Sequence, residues 1–204
     1  MLWGLESPTT RGPKTRWTHG EVAAAAVALA DETGLDALSL AKVAERLGMT
    51  TTALYRYVDS KAELIELMVN AAIGDPPAIE GEGWQERCRF WVRQLARRYS
   101  EHPWLTDVKP RGMPRQPGPY AWIDALVSAI SDAGVDGVRL ALLLDSLIRV
   151  YAALSRADGD VTEPWLGQAI TERFPALRSA ASGDPSDAAA ELDFAVDVVL
   201  RGAG

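Results

Sequence analysis

One stretch constrains this chain more than any other: Ser39–Lys61, SLAKVAERLGMTTTALYRYVDSK. At helical period it reads as two short helices with a glycine turn between them. Ser39 is a good N-cap for the first, and Leu40, Val43, Ala44 and Leu47 fall at i, i+3, i+4 and i+7 on one face. Gly48 follows, where the helix end needs a left-handed residue and a Cβ is penalised. Thr50 or Thr51 can cap the second helix, with Ala53, Leu54 and Val58 facing inward. That leaves Thr51, Thr52, Tyr55, Arg56 and Tyr57 on or near the outer face. A helix, a tight turn and a short second helix form the helix-turn-helix pattern, whose second helix enters the DNA major groove. An ordinary αα-hairpin shares this skeleton. The outer face separates the two readings: its hydroxyls, tyrosines and Arg56, with Lys61 one turn on, can donate to phosphate oxygens and base edges.

The flanks support the hairpin. Thr18-His-Gly-Glu21 is a capping box that opens a helix to Thr33, with Val22, Ala25, Ala26 and Leu29 as its buried stripe and Gly34 at its end. Ser60-Lys-Ala-Glu63 is a second such box. It opens a helix from Lys61 to about Ala72 with Leu64, Leu67, Met68 and Ala71 inward. At ~1.5 Å per residue this one rigid helix spans roughly 18–20 Å, from DNA level to whatever follows. Gly74–Gly83, GDPPAIEGEG, is full of breakers and marks a domain boundary, with 75–83 as linker.

Charge and chemistry narrow the classes. A net charge of −7 over 204 residues argues against a wholly basic coat. A local basic cluster still exists: Arg11, Lys14 and Arg16 in a mobile arm over 1–17, then Lys42, Arg46, Arg56 and Lys61. The lone Cys88 cannot form an intrachain disulfide, no apolar run is long enough to span a membrane, and Met1–Pro8 is no signal peptide. A cytoplasmic protein with no membrane partner is expected. With His19, His102 and Cys88 as the soft ligands, neither a metal nor a cofactor is expected. No Ser/His/Asp, Cys/His or paired-carboxylate constellation supports an α-helical enzyme, so no catalytic residue is assigned.

The rest of the chain, 84–204, reads as helices only. Trp84–Ser100 repeats apolar residues at 84, 88, 91, 92, 95 and 99 and stops at His102-Pro103. Asp107–Gly118 is read as a loop. Pro119 suits the first turn of a helix to Ala133, and Asp136 caps a central helix to about Ser155. Pro164 opens a shorter helix ending before Pro175, Ala176–Pro185 is small and polar, and Asp187–Arg201 is the last helix. Most of the many aromatics should be core filling. Aromatics with a few polar groups also line small-molecule pockets. On that ground Trp91, Trp122, Asp145, Arg149 and Tyr151 are the candidate ligand contacts, Asp145 and Arg149 being spaced i, i+4 on a mostly apolar helix. The last helix carries Leu192, Ala195, Val196, Val199 and Leu200, which either close the monomer core or meet a second copy.

Residues 18–74 resemble the DNA-binding domain of the TetR (tetracycline-repressor) family. The likeness runs through the Gly34 turn, LSLAKVAERLGM, ALYRYV and SKAELI. The C-terminal half is similar only loosely, at HPWL (102–105), GPYAW (118–122), FPAL (174–177) and ELDFAVDVVL. The resemblance implies an all-α protein: an N-terminal three-helix DNA-binding domain plus a C-terminal ligand-binding and dimerisation bundle. It implies Thr51, Thr52 and Tyr55 in the major groove of double-stranded operator DNA. Tyr55, Tyr57 and Lys61 would meet phosphates, Arg56 base or backbone, and Thr50 would sit at a helix end that favours a phosphate. Lys42 and Arg16 join this set from the basic cluster. It further implies a homodimer through the central and last helices, with Leu143, Leu147, Leu192, Val196 and Val199 as candidates, and release by a small-molecule effector. Family members that read a guanine with an arginine would have it where this chain has Ala41, so their operators do not transfer. A ligand-independent DNA-binding regulator or activator of the same fold is the alternative.

Overall fold

Among the described residues of this computed structural model, 16–109, 112–157, 164–176 and 187–203, every regular element is helical. Arg11 and Lys14, and with them most of the expected basic arm, lie outside the described residues, as does nearly all of 176–185.

α1 (His19–Thr33) starts at the expected capping box: the Thr18 hydroxyl accepts from the Glu21 amide at 3.2 Å, and the Glu21 carboxylate accepts from the Thr18 amide at 2.7 Å. α2 (Leu40–Arg46) is capped by Ser39 and closes at Gly48, whose φ of 64° lies in the left-handed region. α3 (Thr51–Leu54) is capped by Thr50, whose hydroxyl accepts from the Ala53 amide at 3.2 Å. It is a single turn, and the chain continues through Tyr57 on tighter bonds from Arg56 to Ala53 and from Tyr57 to Leu54. α4 (Lys61–Ile73) is capped by Ser60, but Glu63 reaches back to the Asp59 amide at 2.6 Å rather than to Ser60. Helices this short are unstable alone. They persist because Val22, Ala26, Val43, Leu54, Leu64 and Met68, all at 0% exposure, close one shared core.

The second half comprises α5 (Trp84–Glu101), a 3₁₀ turn (Pro103–Asp107), α6 (Pro117–Ala129), α7 (Gly137–Ala157), α8 (Pro164–Arg173) and α9 (Ala188–Gly202). The 3₁₀ turn is absent from the sequence reading; Pro103 at its first position nucleates it. α6 opens at Pro117 rather than Pro119, and ends four residues before the expected Ala133. The early end has a tertiary cause: the Arg87 guanidinium takes the Ala129 carbonyl at 2.6 Å and the Asp132 carboxylate at 2.9 Å, doing the work of a C-cap. α7 turns Leu140, Ala141, Leu144 and Ile148 into the bundle and packs against α5, α6, α9 and the 3₁₀ turn.

The two halves meet along α4 and α6. Asn70 Oδ1 accepts the Gly118 amide at 2.8 Å, and the Gly74 carbonyl that ends α4 accepts the Trp122 indole N–H at 2.9 Å. A Cβ at position 118 would stand 2.8 Å from Asn70 Oδ1, so a larger residue there must push that side chain aside and disturb this bond. Arg115 pairs with Glu66 at 2.9 Å on the outside of the seam.

Candidate DNA-binding surface and regulatory face

Leu54 and Val58, at 0% and 1% exposure, anchor the 51–58 segment from beneath. With those two positions inside, Thr52, Tyr55 and Arg56 stand out in solvent, and Thr51 and Tyr57 are half-buried at the margin. Tyr57 meets His19 edge-to-face at 6.1 Å, so the first turn of α1 belongs to the same surface. Thr50 spends its hydroxyl on the cap.

The lysines do more than the sequence suggested. Lys42 Nζ donates to the Ala37 carbonyl at 2.9 Å and Lys61 Nζ to the Leu38 carbonyl at 2.7 Å. Together they staple the loop leading into α2. An ammonium carries three donors, so one carbonyl leaves its charge available to a phosphate. Arg16 stands over the Trp17 ring at 5.7 Å. Arg46 differs: Glu32 takes both its Nη atoms, at 2.8 and 2.5 Å. That pair holds the Glu32 carboxyl below the usual carboxylate range and largely cancels the Arg46 charge. The basic cluster therefore narrows to Arg16, Lys42, Arg56 and Lys61 among the described residues.

In the bundle, the five candidate ligand contacts do not come together. Trp91 and Trp122 are 1% and 2% exposed, packed edge-to-face at 6.1 Å, and both indole N–H groups are spent on backbone carbonyls, those of Trp122 and Gly74. Asp145 and Arg149 pair at 2.8 Å on the α5 side of α7, where the guanidinium lies 5.5 Å over the Tyr99 ring. The sequence places Tyr99 only in the apolar stripe of α5, because nothing local links it to Arg149. Burial pushes its phenol up, away from ionisation. Tyr151 is about 200° round the helix from Arg149, on the opposite flank. Two open cavities stand out among the described residues. One, of about 580 Å³, lies where Val135 and Arg139 approach Val198 and Ala203. The other, of about 370 Å³, lies between Gln85 and Arg201. Neither is lined by any of the five.

The dimer candidates also divide. Leu192 and Val196 are 9% and 2% exposed and point into the protomer, so they pack its own core. Leu147 and Val199 are partly buried against that core. Leu143 faces out. The outward apolar residues are Val138, Leu142, Leu143, Val150 and Leu154 on α7 with Phe194 and Val198 on α9. α9 is apolar on two faces, and the sequence reading chose the inner one.

A recognition segment propped on a buried three-helix core, with α4 running from it against a helical bundle, has the form of a helix-turn-helix DNA-binding protein. Residues 22–68 match the family model for bacterial regulatory proteins of the tetR family. The repressor DrrR1 of Streptomyces coeruleorubidus is 40% identical over 111 residues, 53% of this chain and 41% of that protein. The chain thus spans about two fifths of that relative's length. An HTH-type transcriptional regulator of Saccharopolyspora erythraea is 24% identical over 197 residues, 91% of this chain and 84% of that one. The fold is similar to that of the Streptomyces coelicolor TetR family protein ActR, solved in complex with actinorhodin, with a TM-score of 0.76 at 19% identity over 92% of this chain and 95% of that one. Residues 22–68 thus form a DNA-binding domain of the tetR family of bacterial regulatory proteins. The family and these relatives are transcriptional regulators, not enzymes.

Proposed function

We propose that this protein is a dimeric repressor that binds a palindromic DNA operator and is released from it by a small apolar or aromatic molecule. The observation that carries the reading is the pairing of two surfaces. One is the exposed Thr52, Tyr55 and Arg56 face; the other is the outward apolar stripe of α7 and α9. A single short helix-turn-helix reads few base pairs, and a C2 dimer doubles the site. The stripe is apolar enough to be that dimer's contact. Two recognition segments about 34–36 Å apart then enter successive major grooves.

Release follows from the same geometry. A shift of α4 by a few ångströms spoils the spacing, and a ligand that binds the wider state better drives that shift. The actinorhodin complex of ActR supports an aromatic, polycyclic effector class. The ligand-independent alternative keeps one observation in its favour: Trp91 and Trp122 fill the space between them.

The test is reciprocal titration. Operator selected from a random duplex pool should be an inverted repeat. An actinorhodin-like polycycle should bind the free protein more tightly than the operator complex, by the same factor by which it weakens operator binding. Equal affinity for both forms across a broad aromatic screen would leave the ligand-independent regulator as the better account.

A further inference from the structure

The DNA-binding domain is seated on the bundle at two places. One is α4, which packs against both α5 and α6 and bonds to α6 at Asn70 and Gly74. The other is on α1. Asp31 Oδ1 takes the Trp104 indole N–H at 2.7 Å and His102 Nδ1 at 2.9 Å. Trp104 and Leu105 are each 2% exposed, so the 3₁₀ turn that presents this pair is wedged in the core. The end of α7 grips the same turn. Arg156 Nη1 donates to the Pro103 carbonyl at 3.1 Å, the Thr106 hydroxyl at 2.6 Å and the Asp107 carboxylate at 2.8 Å. A continuous polar path thus runs from the last turn of α7, through the 3₁₀ turn, to α1.

We infer that Asp31 is a positioning residue for DNA binding, and that the 3₁₀ turn is a strut carrying the position of the α7 end to the recognition segment. The inference rests on the repressor reading above and adds to it a second route, separate from α4. Its logic is mechanical. A domain held at one point can pivot freely; held at two, it can turn only about the line joining them. α1 is rigid between the seats of interest: Asp31 sits on the bundle, and His19, about 18 Å away along the helix, touches Tyr57. Motion at Asp31 is therefore delivered to the surface that faces DNA. Removing the Asp31 carboxylate strands the buried Trp104 N–H and unseats the strut.

The test is a distance measured within one protomer. Nitroxides placed at Glu45→Cys and Asp124→Cys, both exposed, span the two domains. Cys88 is fully buried and its thiol is pushed up to about 11 by burial, so it stays unlabelled. Mixed with a large excess of unlabelled protein, so that a labelled protomer pairs with an unlabelled one, the labelled parent should give one narrow distance by pulsed electron spin resonance. Asp31→Ala should broaden it, and so should Trp104→Phe, which keeps an aromatic ring in the core but removes the N–H, far-ultraviolet dichroism serving to check that both variants are folded. Operator affinity should fall about tenfold in step with the shrinking fraction of correctly oriented molecules. Arg156→Ala should broaden the distance alone and add nothing to Asp31→Ala, because the strut is already unseated. Narrow distances in both Asp31→Ala and Trp104→Phe, or additive effects of Asp31→Ala and Arg156→Ala, would overturn the inference. A parent that binds no inverted repeat counts against the repressor reading instead, since the distance needs neither DNA nor a dimer.

Discussion

Lys61 carries two duties that a substitution separates. Its ammonium staples the Leu38 carbonyl and also offers charge beside the recognition segment. Lys61→Ala should weaken binding to all DNA sequences alike and make the salt dependence shallower by about one unit, since one phosphate neutralisation is lost. Thr52 variants should keep the salt slope and change which base pairs are preferred; filter binding across a salt series, with a randomised operator, reads both. An unchanged slope in Lys61→Ala would confine the residue to its staple. The Arg46–Glu32 pair makes a prediction about pH. Glu32 is held below its ordinary value by Arg46, so the pair's contribution is present above the usual carboxylate range. It is lost as pH falls through the lowered value. Arg46→Gln should therefore melt below wild type at pH 7, and the gap should close on acidification. A gap that stays constant down to pH 3 would show that Arg46 acts through packing.

Elements whose signals are local were legible in the sequence. The Thr18 and Ser39 caps and the Gly48 turn depend on residues within four positions of one another, and each formed as its spacing implied. The same locality gives a prediction. Thr50→Ala removes the only side-chain cap of a one-turn helix, so it should cost about 1 kcal/mol of domain stability and weaken operator binding beyond that loss. Chemical denaturation set beside DNA titration separates the two effects. What the sequence hid was tertiary. Arg46 looked like part of a basic face until α1 brought Glu32 to it. α6 looked four residues longer until Arg87, 42 residues away, took its last carbonyl. α9 carries Leu192, Val196 and Leu200 on one stripe and Phe194 and Val198 on another, two residues out of step. Both stripes have helical period, and only packing against α7 decides which is inside.

At the scale of the whole molecule, that choice alters what a mutation does. Phe194 is 63% exposed, whereas Val196 is 2% exposed. Phe194→Glu should give folded monomers that lose operator binding, while Val196→Glu should unfold the bundle by burying a charge with no partner. Sedimentation and far-ultraviolet dichroism distinguish the outcomes. A dimeric Phe194→Glu protein would move the interface away from α9.

The indole of Trp122 is bonded to the very carbonyl that terminates α4, with Trp91 packed edge-to-face with it. The protein thereby contains its own optical gauge. Any event that lifts α4 from its seat must break that bond and admit solvent to a chromophore otherwise shielded from it. The emission lost in a Trp122→Phe comparison isolates this signal from the other tryptophans, so occupancy of the seat can be followed in unlabelled protein on the time scale of mixing.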